Sequence, residues 1–314
     1  MPIECITLRD PAVGSQAKIA VDFGFNCFKF IASIAGKEID VLWSAPDFES
    51  GDARPSGNGI PLLFPFPGRL NGTTFEWDGH TYQVPEEDGC GNAIHGFVLN
   101  RPWRVVAHTE SKVVGQFQAS VDDSSVLEQW PADFRITATY ELDGNTLRSS
   151  FLLENPDEKP LPCGFGTHPY FHLPLSGTNA DVCIVRLPVT KHWELIDMLP
   201  TGHCKEIDGP ARYDNGQPFA GMTFDDVFAG LQFSDGLCRS SINDPDGGVR
   251  LELAFGQSFR ECVVYTPPHR EAICIEPYTC VPGTFGMPDA VERYGLRVLS
   301  PGKSFAAEVT MRVE

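Results

Sequence analysis

The chain has 314 residues, 42% of them hydrophobic and 21% charged, which is the balance of an ordinary soluble globular protein with a sizeable core. Its 42 acidic residues against 24 basic ones give a formal charge of -18, which disfavours nucleic acid and anionic membrane surfaces as partners. No run of 18 or more apolar residues spans a membrane. The start, MPIECITLRD, carries an acid where a secretory leader has a basic start and a long apolar stretch, so a cytoplasmic location is expected.

The first polar landmark along the chain is GIPLLFPFPGRLNG, residues 59–72. There Arg69 follows a proline-broken apolar run and precedes a turn, as a surface arginine beside a loop or a binding cation would. NAIHGFVLNRPW, 92–103, sets His95 before a glycine and near apolar residues, a position that suits a structural histidine as well as an acid. FRITATYEL then alternates strictly: Phe134, Ile136, Ala138, Tyr140 and Leu142 face one way, Arg135, Thr137, Thr139 and Glu141 the other. That period of two predicts a strand with one buried and one wet face. Turn signals follow at DGN, 143–145, and NPDEKP, 155–160.

GFGTHPYFHLP, 164–174, holds two histidines four positions apart, which on a helix would share a face and could grip zinc. Pro169 biases His168 toward extended geometry, and Gly166 and Pro174 oppose a helix. Read as a strand, the segment puts His168, Tyr170 and His172 on one face, and no metal site is expected.

Beyond the turn DPDGG, 244–248, VRLELAF sets Val249, Leu251, Leu253 and Phe255 against Arg250 and Glu252. The apolar run Ala272 to Ile275 ends in Glu276, which Pro277 holds extended. A carboxylate there is either exposed at a strand end or buried, and a buried one must be paired, hydrogen-bonded or shifted in pKa, as suits a rigid base. After the turn SPGKS, SFAAEVTMRVE alternates again, with Phe305, Ala307, Val309, Met311 and Val313 on one face. No window shows a long apolar stripe of helical period, and 30 glycines with 26 prolines suit a loop-rich β-protein. With no internal repeat or linker, the expected fold is all-β: one antiparallel β-sandwich domain over residues 1–314. The ten cysteines form no CxxC pair and are expected to be free and mostly buried. The residues alone thus supply a candidate base (Glu276), candidate acids (His168, His95), a cation (Arg69) and nearby aromatics. Aromatics beside carboxylates and polar donors suit a sugar, whose faces are apolar and whose rims are hydroxyls.

Taken in order, these segments resemble the aldose 1-epimerase (galactose mutarotase) family from about residue 15 to the C-terminus. GIPLLFPFPGRL is similar to the family's G-x-P-x-L-F-P segment ending in a substrate-contacting arginine, here Arg69, and IHG to its H-G motif with the first active-site histidine, here His95. THPYFHL resembles H-x-Y-F-N-L, whose first histidine is the catalytic acid, here His168, with Tyr170 beside the substrate. LPTG, 199–202, and FDDVF, 224–228, are further landmarks, the latter with a substrate-binding aspartate at Asp225. AICIEPYT resembles the strand ending E-P-x-T, whose glutamate is the catalytic base, here Glu276, and LSPGKSF, 299–305, the L-x-P-G turn before the last strand.

The resemblance implies a large antiparallel β-sandwich of the galactose mutarotase type. It also implies an isomerase that acts on a small-molecule sugar without cofactor or metal, with His168 kept protonated by Glu276 and Asp225. Three positions depart from the family's motifs: Gly68 for an asparagine, Phe97 for a second glycine and His172 for an asparagine. They bear on which sugar is bound. One alternative on the same fold is a hexose-6-phosphate 1-epimerase, with Arg101 and Arg104 as phosphate cations. The others are a silent sugar-binding protein and a glycosidase using Asp225 and Glu276 as its carboxylate pair.

Overall fold

The computed structural model describes residues 2–209 and 211–314. Two large antiparallel sheets dominate it. The first has nine strands, in the order Gln217–Pro218, Ile184–Arg186, Leu237–Asp244, Val249–Gly256, Ser304–Val313, Thr146–Glu154, Arg135–Asp143, Lys112–Gln118 and Arg104–His108. The three alternating segments read from the sequence lie in this sheet with the expected faces inward: Ile136, Ala138, Tyr140, Leu142, Leu251, Leu253, Val309 and Met311 are all buried. Each large side chain so buried contributes roughly 1.5–3 kcal/mol. A single apolar cluster containing these residues runs from Leu8 to Val313 and takes in the four-stranded N-terminal sheet, Cys5–Arg9, Gln16–Ala20, Asn26–Ile34 and Lys37–Asp40.

The second large sheet runs Leu199–Glu206, Lys191–Ile196, Asp225–Ala229, Glu261–Tyr265, Ala272–Tyr278, Gly166–Thr167 and Leu62–Leu63, with Tyr170–His172 also pairing Ala272–Tyr278. Its inner face joins the main core through Cys262, Val264, Ile273 and Ile275. Its outer face is only partly covered, and there Val263, Tyr265, Glu276 and Tyr278 line a cleft. Ala272–Tyr278 is buried along its whole length, because strands flank it and side chains pack on both faces. That explains why AICI reads as a continuous apolar run and not as an alternation. Among the described residues no helix is long and apolar enough to cross a membrane. All ten cysteines are free, seven of them buried.

The outer face also buries Glu261, one strand from Glu276, with Trp193 Nε1 donating to its Oε2 at 3.0 Å. Burial pushes this carboxyl up to about 7, against the opposing pull of the Trp193 hydrogen bond and Arg260. A carboxyl whose pKa is raised on folding binds protons more tightly in the folded state, so its ionisation subtracts stability as pH rises from the unfolded value toward 7. Glu261→Gln keeps an acceptor for Trp193 and removes that ionisation. The variant is expected to unfold at higher temperature than the parent at pH 8, by on the order of 2–3 kcal/mol, with the gap closing near pH 4. Thermal unfolding at the two pH values measures it, and an equal gap at both refutes the assignment.

Candidate active site

The cleft on the outer face has a volume of about 340 Å³, in the range of small-molecule sites. Glu276, His168, His95, Arg69, Asp225 and Tyr170, scattered over 208 positions of sequence, all line it.

Glu276 and His168 form its floor. His168 Nε2 lies 3.3 Å from Glu276 Oε1, and both side chains are almost wholly buried. Glu276 Oε2 accepts a hydrogen bond from the Tyr278 hydroxyl at 2.8 Å. Strand period puts Tyr278 on the same face, two residues on, so its place beside Glu276 is written in the spacing though in no motif. Burial pushes the Glu276 carboxyl well up, Tyr278 pulls it down and Asp225 raises it. Burial pushes His168 down to about 3, aided by the charge of Arg54. This corrects the expectation that Glu276 and Asp225 keep His168 protonated: desolvation outweighs their attraction, and the buried pair favours a neutral imidazole beside a carboxylic acid. Glu276 Oε1 and His168 Nδ1 are buried polar atoms without a formed hydrogen bond.

The chain does not run as one strand through GFGTHPYFHLP. Gly166–Thr167 and Tyr170–His172 are separate strands with His168 and Pro169 between them. His168 still stacks on Tyr170, ring centroids 4.8 Å apart and nearly parallel. The Tyr170 hydroxyl donates to the Ser56 carbonyl at 2.9 Å, so its ring is a fixed backing for the imidazole. His172 does not line the cleft; its Nδ1 lies 3.2 Å from the Pro174 carbonyl.

His95 meets His168 edge to face at 5.5 Å. Its backbone sits at φ 69, a left-handed value rare outside glycine, and its peptide N–H donates to the Gly68 carbonyl at 2.9 Å. The Gly68 N–H in turn donates to His95 Nδ1 at 3.2 Å. Nδ1 is therefore an acceptor, and the neutral ring carries its proton on Nε2. Burial, with His168 and Arg69 nearby, lowers the pKa of His95 far enough to hold that neutral form.

The glycines are explained by contact. A Cβ on Gly96 would lie 2.2 Å from the Phe64 carbonyl oxygen, and one on Gly68, at φ 69, would lie 2.7 Å from Pro282. The departure at Gly68 is thus imposed by Pro282. Phe97, the second departure, is buried against Phe66 and Trp130 and faces the core.

Arg69 donates through Nε to Asp88 Oδ2 at 3.0 Å. Asp88 belongs to the loop 86–92, whose Cys90 and Asn92 peptide N–H groups donate to its Oδ1 at 2.7 and 2.9 Å, while Asn92 Nδ2 donates to Oδ2 at 2.9 Å. Burial opposes its charge, yet these bonds hold the Asp88 carboxyl far below the usual range, so Arg69 is anchored to a permanent anion. Asp225 stands open to the cleft, its carboxyl raised by partial desolvation and pulled down by Arg69. Arg101 and Arg104 are elsewhere, paired with Asp123 and Asp122 at 2.6 and 2.7 Å, which removes them as cations of this cleft. Arg54 does line it, as do Trp43 and His269, stacked at 4.3 Å; no motif pointed to these three. Ligand atoms of His168, Cys274 and Glu276 lie within 4.8 Å of one another, a spacing that could hold a metal ion. Burial and the charge of Glu276 push the Cys274 thiol well up, which opposes the thiolate a soft metal takes.

A family model described as aldose 1-epimerase matches residues 31–312. The chain belongs to the aldose 1-epimerase family. The uncharacterized protein YphB of Escherichia coli K12 is 24% identical over 261 residues, covering 80% of this chain and 82% of that protein. A galactose mutarotase-like protein from Clostridium acetobutylicum, 22% identical, superposes with a TM-score of 0.86 over 100% of this chain and 99% of its own. The GalM/aldose epimerase homologue from C. elegans, 19% identical, gives 0.80 over 99% of each. The family's fold, expected from the motifs, is the fold observed.

Asp88→Ala removes the acceptor of four hydrogen bonds and leaves the guanidinium of Arg69 without its anchor. The variant is expected to lose about 1–3 kcal/mol of stability, measured by denaturant unfolding. An unchanged midpoint would show that the loop holds its shape without Asp88.

Proposed function

We propose that the protein is a mutarotase, interconverting the α and β anomers of a hexose by acid–base opening and closure of the ring. The observation that carries this reading is the 3.3 Å separation of His168 Nε2 and Glu276 Oε1 at the floor of the cleft. Mutarotation removes a proton from the anomeric hydroxyl and delivers one to the ring oxygen. Those two oxygens are bonded to the same carbon, so the acid and the base must themselves be near neighbours.

In the proposed cycle Glu276, as carboxylate, takes the hydroxyl proton, and His168, as imidazolium, gives one to the ring oxygen. The ring opens to the aldehyde, the bond beside the carbonyl rotates, and closure on the other face reverses both transfers. The reactive ion pair carries the same number of protons as the neutral pair that burial favours, so its formation needs only a proton shift between Glu276 and His168. A sugar hydroxyl against Glu276 Oε1 and the His95 Nε2–H would stabilise the charged form. Tyr278 already donates to the carboxylate. Arg69, fixed by Asp88, offers its remaining N–H groups to ring or hydroxyl oxygens, and Asp225 accepts from hydroxyls.

Glu276→Gln is expected to lower kcat by ~10² to 10⁴-fold, the typical contribution of a positioned base. Optical rotation of fresh α-glucose or α-galactose measures it, and a wild-type rate on an accepted sugar overturns the assignment. Tyr278→Phe removes a hydrogen bond that favours the carboxylate form of Glu276; because burial favours the neutral tautomer of the singly protonated pair, the kcat/KM plateau should fall and the alkaline limb, where the pair loses its last proton, should move to higher pH. A limb that stays or moves down speaks against Glu276 as base.

A further inference from the structure

We propose that Arg54 forms an anion subsite in the cleft, and that the preferred substrate is an aldose bearing a phosphate or carboxylate away from its anomeric carbon. The proposal rests on the mutarotase reading and adds the substrate class to it.

The chain carries 42 acidic residues against 24 basic, and each of the other arginines considered for the site has its charge matched by a carboxylate: Arg69 by Asp88, Arg101 by Asp123, Arg104 by Asp122. Arg54 lines the cleft, and among the described residues no carboxylate pairs with it. Its charge nevertheless reaches the floor and one wall of the cleft, where it disfavours the protonated forms of His95 and His168 and acts on Tyr170 and Tyr265. Glu87, exposed on the loop 86–92, also feels Arg54 without pairing with it.

The segment that carries Arg54 is fastened to the site. Pro55 follows, and the carbonyl of Ser56, two residues on, accepts the hydroxyl of Tyr170, the ring that backs His168. Arg54 is therefore two residues from a point fixed to the ring that backs His168. The cleft is also electrically polarised. Asp225, which feels Arg69, is an open carboxylate that repels an anion and accepts hydroxyls. An anionic sugar thus gains by turning its charge toward Arg54 and its hydroxyls toward Asp225. A guanidinium offers five donors in a planar fork that fits phosphate and carboxylate oxygens in pairs. A charge-assisted contact of that kind is worth about tenfold to a hundredfold in affinity.

The test is the rate of anomer interconversion, read by NMR exchange or polarimetry. Glucose and galactose, their 6-phosphates, glucuronate and galacturonate are compared on the wild-type protein, Arg54→Gln and Arg54→Lys. At least one anionic sugar should exceed its neutral parent by tenfold or more in kcat/KM. That ratio should fall about tenfold to a hundredfold in Arg54→Gln and less in Arg54→Lys, and should shrink with added salt. Preference for the 6-phosphates alone or the uronates alone identifies the group that Arg54 takes. Neutral sugars turned over as well as anionic ones, or a preference that survives Arg54→Gln, overturns the proposal and leaves the mutarotase reading standing. No acceleration on any sugar overturns both.

Discussion

A carboxyl and an imidazole, both nearly closed off from water and 3.3 Å apart, set the terms for the outer face of this fold. Neither group can hold a charge there cheaply, and each shifts toward its neutral form. Such a pair keeps its position only if the surroundings hold it. Glu276 is fixed by a strand buried on both faces, His168 by the ring of Tyr170 and a backbone bond to Pro61.

The rest of the cleft supports this pair at one remove. Gly68 and His95 exchange two hydrogen bonds and set the imidazole tautomer; Asp88 aims Arg69; Tyr278 steadies the carboxylate; Ser56 holds Tyr170. The close approach of Gly96 to Phe64 and of Gly68 to Pro282 leaves no room for side chains at those positions. The Glu276–His168 pair is thus lodged in the sheet and its tight crossings, while the segment bearing Arg54, Ser56 and Gly57 borders the cleft from a loop.

The strands of the nine-stranded sheet were legible because each has one wet face: Arg135–Asp143 alternates buried and half-exposed residues along its length. The site was legible only through its motifs, since Arg69, His95, His168, Asp225 and Glu276 meet by pairings that no local period encodes. Tyr278 could have been found by counting two residues from Glu276. Asp88 could not, because its role depends on a loop that folds back on Arg69. The protonation state of His168 is hidden for a related reason: sequence displays neighbouring charges but not the depth of burial that overrules them. Arg101 and Arg104 looked available because Asp122 and Asp123, which neutralise them, lie some twenty residues on.

The loop that anchors Arg69 also carries Cys90, whose peptide N–H donates to Asp88 and which, of the ten free cysteines, is the one exposed. Seven others are buried, and Cys5 and Cys204 are half-buried with thiols pushed up by burial. Thiol reagents react through the thiolate at accessible sulfur, so a limiting amount of a fluorescent maleimide should mark Cys90 ahead of the others. The native chain thus comes with a single accessible attachment point for a dye, two residues from the carboxylate that aims Arg69.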